Sequence, residues 1–232
     1  MQSPKLGKSL SRFAVAVAAS FVLVVGCNSV NATGSSSGTP TIPKPAVDVS
    51  RASAKGQENL VLAGGCFWGI QAVFKHVKGV TSSTSGYSGG SANTAEYETV
   101  STGTTGHAES VKVVYDPSQV TYGELLRIFF AVIDPTELNR QGPDRGTQYR
   151  SVIFYENPDQ QKIAEAYIKQ LDAAKVFGGP IVTQVAPFQV FYTAESYHQD
   201  YAAKHPNDPY IVICDLPKLS TLKKDFPDFY RE

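Results

Sequence analysis

The sequence predicts an α+β fold, a two-layer sandwich of the split-βαβ type in which a sheet packs against helices. Short runs rich in β-branched residues interleave with segments whose apolar residues recur at helical spacing, and several strand-like runs lie close enough to form hairpins. The chain has 232 residues, 42% of them hydrophobic, which suits one domain with its own core plus terminal segments.

Residues 1–26 have the pattern of a bacterial lipoprotein signal. Three basic residues precede an apolar stretch at 13–25, which is too short to span a membrane comfortably. It ends in Val24-Val25-Gly26-Cys27, which resembles the lipobox in which cleavage leaves the cysteine as lipid acceptor. An ordinary cleaved signal and an uncleaved anchor are the alternatives. We expect a lipid on Cys27 because this cysteine lies at the end of the apolar run, and acyl chains would hold the protein on a membrane.

Residues 27–57 are rich in Ser, Thr, Gly and Pro and poor in large apolar side chains, which predicts a disordered tether. Signal and tether together predict export to the bacterial cell envelope, with the protein membrane-anchored on the periplasmic side or the outer surface. The folded domain is predicted at 58–232. The chain has 21 basic and 21 acidic residues, so its charge gives no reason to expect a nucleic-acid partner.

Strands are predicted where β-branched or alternating apolar residues form short runs that end at turn residues. The run 108–115 alternates around Val111 and Val113 and ends at Asp116-Pro117. The run 79–87 ends in a glycine-rich turn. The predicted strands are 59–63, 79–87, 108–115, 149–155, 181–185, 188–192 and 210–213.

Helices are predicted where apolar residues recur with a period of 3.6. The first begins at or just after Cys66, and the second begins at Thr121, with Glu124 at the capping-box position. Further helices are predicted at 158–177 and around 196–204. Residues 134–148 form a long loop with two glycines and two prolines, and loops of this length within a compact domain are usually functional.

Cys66 is the candidate nucleophile. It follows Gly64 and Gly65 where a strand turns sharply into a helix, and the free N–H groups of a helix N-terminus favour a thiolate. The alternative is a small buried apolar side chain, the commoner role of a lone cysteine. Phe67 and Trp68, the only tryptophan, follow directly in a glycine-flanked turn and indicate the wall of a pocket.

Six motifs resemble, in order, those of the A-type methionine sulfoxide reductases. They span residues 58 to 227 approximately and are Gly65-Cys66-Phe67-Trp68-Gly69, Gly86-Tyr87-Ser88-Gly89-Gly90, Thr105-Gly106-His107-Ala108-Glu109, Asp134-Pro135-Thr136 with Leu138-Asn139-Arg140-Gln141-Gly142, Asp144 with Gly146-Thr147-Gln148-Tyr149-Arg150-Ser151, and Tyr197-His198-Gln199. The resemblance implies a two-layer α/β sandwich with ferredoxin-like connections. It also implies an enzyme that reduces the S epimer of methionine sulfoxide, free or in oxidised proteins, with no metal or organic cofactor. We expect the protein to be a monomer.

Residue by residue, the resemblance implies that Cys66 is the nucleophile and Glu109 the proton donor. The implied substrate-binding residues are Tyr97, Asp144 and Tyr149 around the sulfoxide oxygen and Phe67 and Trp68 against the methyl group. The sulfur of a sulfoxide is a poor electrophile until its oxygen is protonated or hydrogen-bonded, so a thiolate needs an acid beside it. Glu109 can serve only if burial keeps it protonated near neutral pH.

The product on Cys66 would be a sulfenic acid, which a second thiol must reduce. That thiol is an external, thioredoxin-like one or Cys214, whose strand-like apolar neighbours make it a poor mobile resolver. We expect His107 and His198 to be structural hydrogen-bonding residues. Two other functions remain open: a thiol enzyme acting on peroxides or thioesters, and a tethered module that binds methionine-like side chains without catalysis.

Overall fold

The computed structural model describes residues 41–232. Its strands are β1 (Glu58–Ala63), β2 (Val80–Ser88), β3 (Ala108–Tyr115), β4 (Arg140–Gln141), β5 (Asp144–Arg145), β6 (Val152–Tyr155), β7 (Gln184–Pro187) and β8 (Phe191–Thr193). Its α-helices are α1 (Phe67–Lys75), α2 (Tyr97–Val100), α3 (Tyr122–Val132), α4 (Pro158–Ala173), α5 (Tyr201–Lys204) and α6 (Leu216–Asp225). One turn of π-helix, Ile211–Asp215, leads directly into α6. The predicted α+β sandwich is confirmed.

Six strands form one sheet in the order β7-β6-β1-β3-β2-β8, and β4 and β5 form a separate hairpin. The central strand β1 is antiparallel to both neighbours, β3 and β6. In this register Ala63, the last residue of β1, lies opposite Ser110 of β3. Glu109 therefore lies beside the point where the chain leaves the sheet toward Cys66.

Both faces of β1 are buried. Leu60 and Leu62 belong to the main core, which includes side chains of α1, α3, α4 and α6. Val61 and Ala63 point the other way into a smaller cluster with residues of β6 and with Phe191. Because β1 is fixed from both sides, its end is a rigid support for the turn that carries Cys66.

The strand predicted at 210–213 is wrong. Ile211 and Asp215 are buried, whereas Val212 and Ile213 are 46% and 72% exposed, which is a helical and not an alternating pattern. The β-branched composition predicted a strand, but packing of the π turn against α1 overrides that propensity.

Other boundaries differ by a few residues. The strands predicted at 181–185 and 188–192 are shifted to β7 and β8, and α4 ends at Ala173 instead of 177. The predicted helix around 196–204 is a 3₁₀ turn and then α5, separated by Asp200 in the left-handed conformation with φ 61°. The predicted loop 134–148 contains the β4–β5 hairpin, and the strand predicted from 149 begins at Val152.

The prediction of a disordered tether is wrong for residues 41–57. This segment has no helix or strand, but Ile42 is only 3% exposed and belongs to the main core. The hydroxyl of Tyr167 in α4 donates to the carbonyl oxygen of Pro43 over 2.6 Å. Asp48 accepts the backbone N–H of Gly123 over 2.9 Å at the N-terminus of α3. One buried apolar side chain and one helix-end carboxylate are enough to fix the segment to the domain.

The signal segment 1–26, Cys27 and the first part of the tether lie outside the described residues. Within 41–232, none of the helices is long and apolar enough to cross a membrane.

Candidate active site

Cys66 is the N-cap residue of α1, as the sequence predicts, and is buried. The turn before it requires its glycines. A Cβ on Gly64 would lie 2.8 Å from the ring of Phe129, and Gly65 has φ 86°, which favours glycine. The Cys66 side chain makes no capping hydrogen bond, and of the first-turn N–H groups it is that of Trp68 that favours the thiolate.

Glu109, the predicted acid, lies beside this turn and is 3% exposed. Its carboxyl oxygen Oε2 accepts the backbone N–H of Phe67 over 3.1 Å. Burial raises the pKa of Glu109 to about 8; the Phe67 N–H opposes this shift, and the charges of Asp144 and Asp215 add to it. The carboxyl therefore holds a proton at neutral pH, which an acid catalyst requires.

The sequence-based prediction of a thiolate at Cys66 is wrong for the free site. Burial raises the pKa of the Cys66 thiol well above its ordinary value, and the negative charges of Glu109 and Asp215 raise it further. Lys218 and the backbone N–H of Trp68 lower it, but by less. Desolvation of the sulfur thus outweighs the helix N-terminus.

Tyr97 and Tyr149 each lie at one end of a short helical turn near Glu109. Tyr97 begins α2, where the sequence predicted a loop, and Tyr149 ends the 3₁₀ turn Thr147–Tyr149. Burial, and next the charge of Glu109, raise the pKa of each phenol. Both are therefore neutral hydrogen-bond donors close enough to Glu109 to respond to its charge.

Asp144, in the β4–β5 hairpin, accepts a hydrogen bond from the hydroxyl of Tyr210. Its charge also raises the pKa of Glu109, so it lies near the acid. Tyr210 is absent from the predicted site residues. The tyrosine lies in the wrongly predicted strand, and only the placement of that segment brings it to the site.

Phe67 and Trp68 form an aromatic wall. Phe67 is fully buried and Trp68 is half-buried. The indole of Trp68 stacks on Tyr201 with ring centroids 3.8 Å apart, and the ring of Tyr210 meets it edge-on at 6.0 Å. The indole Nε1–H donates to Nδ1 of His198 over 3.1 Å, so both the plane and the edge of the indole are fixed.

His198 and Glu195 support this wall from behind. Burial lowers the pKa of His198, so the imidazole is neutral and its Nδ1 accepts the indole proton. Nε2 then carries the proton and faces Glu195 at 3.8 Å. Glu195 accepts the hydroxyl of Tyr87 over 2.8 Å and the backbone N–H of Tyr97 over 2.9 Å. Glu195 is absent from the predicted site residues, because nothing in the neighbouring sequence distinguishes it from a surface carboxylate.

The remaining predicted residues lie elsewhere. His107 accepts the backbone N–H of Gly90 over 3.2 Å and contacts the carbonyl oxygen of Ser91 over 3.0 Å, which is a turn-stabilising role. Cys214 lies half-buried in the π turn, and both it and Cys66 are free thiols. Among residues 41–232, no group of three or more His, Cys, Asp or Glu side chains is arranged to hold a metal ion.

The arrangement combines a nucleophile, a protonated acid, neutral phenol donors and an aromatic wall within one site. A family model described as peptide methionine sulfoxide reductase matches residues 58–229. The chain is 58% identical over 181 residues to peptide methionine sulfoxide reductase MsrA 2 of Mesorhizobium japonicum, which covers 78% of this chain and 93% of that protein. It is 52% identical over 190 residues to MsrA 2 of Synechocystis, covering 81% and 89% of the two chains.

Solved structures of methionine sulfoxide reductases also resemble this fold. The fold is similar to the reduced form of Mxr1 from Saccharomyces cerevisiae, with TM-score 0.63, 34% identity and coverage of 68% of this chain and 91% of that one. It is also similar to methionine sulfoxide reductase A of Corynebacterium diphtheriae, with TM-score 0.57, 38% identity and coverage of 67% and 78%. Since the family match spans nearly all of the folded domain, this chain belongs to the A-type peptide methionine sulfoxide reductase family and is an oxidoreductase.

Proposed function

We propose that this enzyme reduces the S epimer of methionine sulfoxide, free or within oxidised proteins, with Cys66 as nucleophile and Glu109 as proton donor. The observation that carries the proposal is the buried carboxyl of Glu109, with its pKa raised to about 8, bonded to the N–H next to Cys66. Restoring methionine in damaged proteins makes the enzyme a protein-repair catalyst.

The substrate would bind with its methyl group against Phe67 and Trp68 and its oxygen toward Tyr97 and Tyr149. An apolar wall accepts the methyl group without hydrogen bonds, whereas the neutral phenols donate to the polarised oxygen without introducing charge. Asp144 orients the same region through Tyr210. Separate contacts for the methyl group and the oxygen, with the sulfur of Cys66 as a third fixed point, give the site a handedness, which is the basis for selecting one sulfoxide epimer.

In the reactive state Cys66 and Glu109 share one proton. The thiolate attacks the sulfoxide sulfur while Glu109 gives its proton to the oxygen. The oxygen then moves to the sulfur of Cys66 and methionine leaves. One thiol and one sulfoxide thus yield one thioether and one sulfenic acid, and the substrate sulfur gains the two electrons that Cys66 loses.

Reduction of the sulfenic acid by two thiol groups gives the free Cys66, one disulfide and water. We propose an external thioredoxin-like protein as the source of these thiols. Cys214 is the alternative, but it lies in an ordered helical turn, and burial raises its pKa. A protonated thiol on a fixed turn is a poor attacking group.

The signal pattern supports a lipoprotein anchored through Cys27 in the bacterial cell envelope, on the periplasmic or outer surface. Mass spectrometry of the mature protein tests this. A diacylated or triacylated Cys27 at the N-terminus is expected, and a mature chain that lacks Cys27 or carries it unmodified would exclude the anchor.

Single-turnover reduction without added thiol tests the reaction. With separate S and R epimers of a methionine sulfoxide peptide, we expect one equivalent of methionine from the S epimer only and a sulfenic acid on Cys66 that a dimedone-type reagent traps. Loss of both Cys66 and Cys214 thiols with no trappable species would assign resolution to Cys214. Cys66→Ser is the control and should give no product.

A further inference from the structure

Gly69, the last residue of the Gly-Cys-Phe-Trp-Gly motif, has no part in the mechanism above. It is the third residue of α1, one helical turn after Cys66. A Cβ on Gly69 would lie 2.8 Å from Cγ of Asp215 and 3.0 Å from Nζ of Lys218. Two charged groups from the C-terminal part of the chain therefore occupy the space that a side chain would take in the first turn of α1.

Asp215 and Lys218 form an ion pair at this position, with Oδ1 and Nζ 2.9 Å apart. Asp215 is 1% exposed, and its second oxygen, Oδ2, has no hydrogen-bond partner within residues 41–232. A buried ion pair with an unsatisfied oxygen is a poor way to stabilise a fold, because desolvation offsets the attraction between the charges. Its position beside the nucleophile suggests that it serves the thiol.

The two charges act on Cys66 in opposite directions. Asp215 raises the pKa of the thiol, and Lys218 lowers it by a smaller amount, so the ammonium offsets part of the effect of the carboxylates. Other charged or titratable groups that face this region are Glu109 from β3, Tyr97 from α2, Asp144 from β5, Tyr149 from the 3₁₀ turn after β5, Tyr201 from α5 and Tyr210 from the segment before the π turn. Lys218 is the one cation among these groups.

We propose that Lys218 supplies the positive charge that stabilises the thiolate of Cys66 during attack, and that Asp215 is the positioning residue that holds its ammonium over Gly69. This inference rests on the proposed role of Cys66 as nucleophile. It gives the Asp215-Leu216-Pro217-Lys218 segment a function in the active site, and it explains why α1 has a glycine where the ammonium approaches.

The test is the pH dependence of iodoacetamide alkylation at Cys66 in the full chain. Mass spectrometry of the peptide that carries Cys66 separates its signal from those of Cys27 and Cys214. Lys218→Met should move the midpoint of the rate–pH curve upward by roughly half to one pH unit. Asp215→Asn removes the negative charge but keeps the Oδ1 atom that accepts from the Lys218 ammonium, so it should move the midpoint downward by a similar amount. Lys218→Arg keeps the charge and should leave the midpoint in place. Lys224→Met, on the exposed end of α6, is the matched control and should have no effect.

A purely structural role would move both variants in the same direction or move neither, and either result would overturn the proposal. Asp215→Asn and Lys218→Arg change little volume, so folded protein is expected, and far-UV circular dichroism checks it. Alkylation requires no sulfoxide. If the two midpoints shift in opposite directions but the protein does not reduce the sulfoxide, the proposed function is rejected and the influence of Lys218 on the thiol is retained. If the protein reduces the sulfoxide but the midpoints do not shift in opposite directions, the proposed function is retained and the role of Lys218 is rejected.

Discussion

The backbone N–H of Phe67 donates to Oε2 of Glu109 over 3.1 Å, which joins the proposed acid directly to the residue that follows the proposed nucleophile, Cys66. The bond holds the carboxyl at the N-terminus of α1 although β3 contributes it. Because the same carboxyl is buried, its neutral form is favoured even though this bond opposes it; the hydrogen bond thus sets the position of the carboxyl and burial sets its protonation.

The buried carboxyl makes stability depend on pH. The pKa of Glu109 rises from an ordinary 4.5 to about 8 in the folded protein. Its contribution to stability is fully present below the lower value and is lost as pH rises through the higher one. In this window the folded state binds one more proton than the unfolded state, so stability falls by at most about 1.4 kcal/mol per pH unit.

Glu109→Gln keeps the size of the side chain and an acceptor for the Phe67 N–H but cannot ionise. We therefore expect its free energy of unfolding, measured with urea, to exceed that of the parent increasingly between about pH 5 and about pH 8. Cys66, Tyr97 and Tyr149, whose pKa values respond to the charge of Glu109, titrate above this window, so they do not disturb the comparison. Parallel curves for the two proteins would show that Glu109 does not carry a raised pKa.

The hydrogen bond from Trp68 to His198 should control substrate binding. His198→Phe leaves the indole N–H of Trp68 without its acceptor, at a cost of about 1 to 3 kcal/mol in stability. The indole can then move relative to the rest of the site. We expect KM to rise more than kcat falls.

Trp68 is the only tryptophan, so its fluorescence reports the aromatic wall directly and should shift in the variant. His205→Phe changes a histidine that packs at a tilt against Tyr201 and is not the hydrogen-bond partner of Trp68, and it serves as control. Unchanged fluorescence and KM in His198→Phe would show that His198 does not position the indole of Trp68.

The docked segment at 41–57 should contribute to stability and not to catalysis. Ile42→Ala removes a buried side chain and should lower the free energy of unfolding by about 2 to 4 kcal/mol, with kcat unchanged in the folded protein. Ile213→Ala makes the same change at a site that is 72% exposed and should alter stability by less than about 0.5 kcal/mol. Equal effects of the two substitutions would mean that the segment is not docked in solution.

The sequence predicts the fold class and the central turn because both depend on local signals. Gly64 and Gly65 between an apolar run and a helical period specify the strand-to-helix turn that carries Cys66. The segment after Tyr210 is predicted wrongly, because its β-branched composition favours a strand and its packing on α1 is not visible in the local pattern.

Several residues that support the site have no local sequence signal either. Glu195, Tyr210 and Lys218 come from distant parts of the chain, and only tertiary structure brings them to Cys66. The protonation of Cys66 itself was predicted in the wrong direction, since a helix N-terminus is visible in sequence whereas burial of the sulfur is not. Docking of Ile42 was missed because the surrounding composition is that of a linker.

The central claim is that Cys66 and Glu109 share one proton when they react, and the single-turnover rate as a function of pH tests it most directly. In the parent, the rate with the S epimer should rise toward about pH 8, where the pair retains one proton, and then level off. Glu109→Gln should be slower by at least about a hundredfold near that pH and should keep rising as the thiol alone ionises. A variant with the parent's rate and the parent's profile would contradict the account.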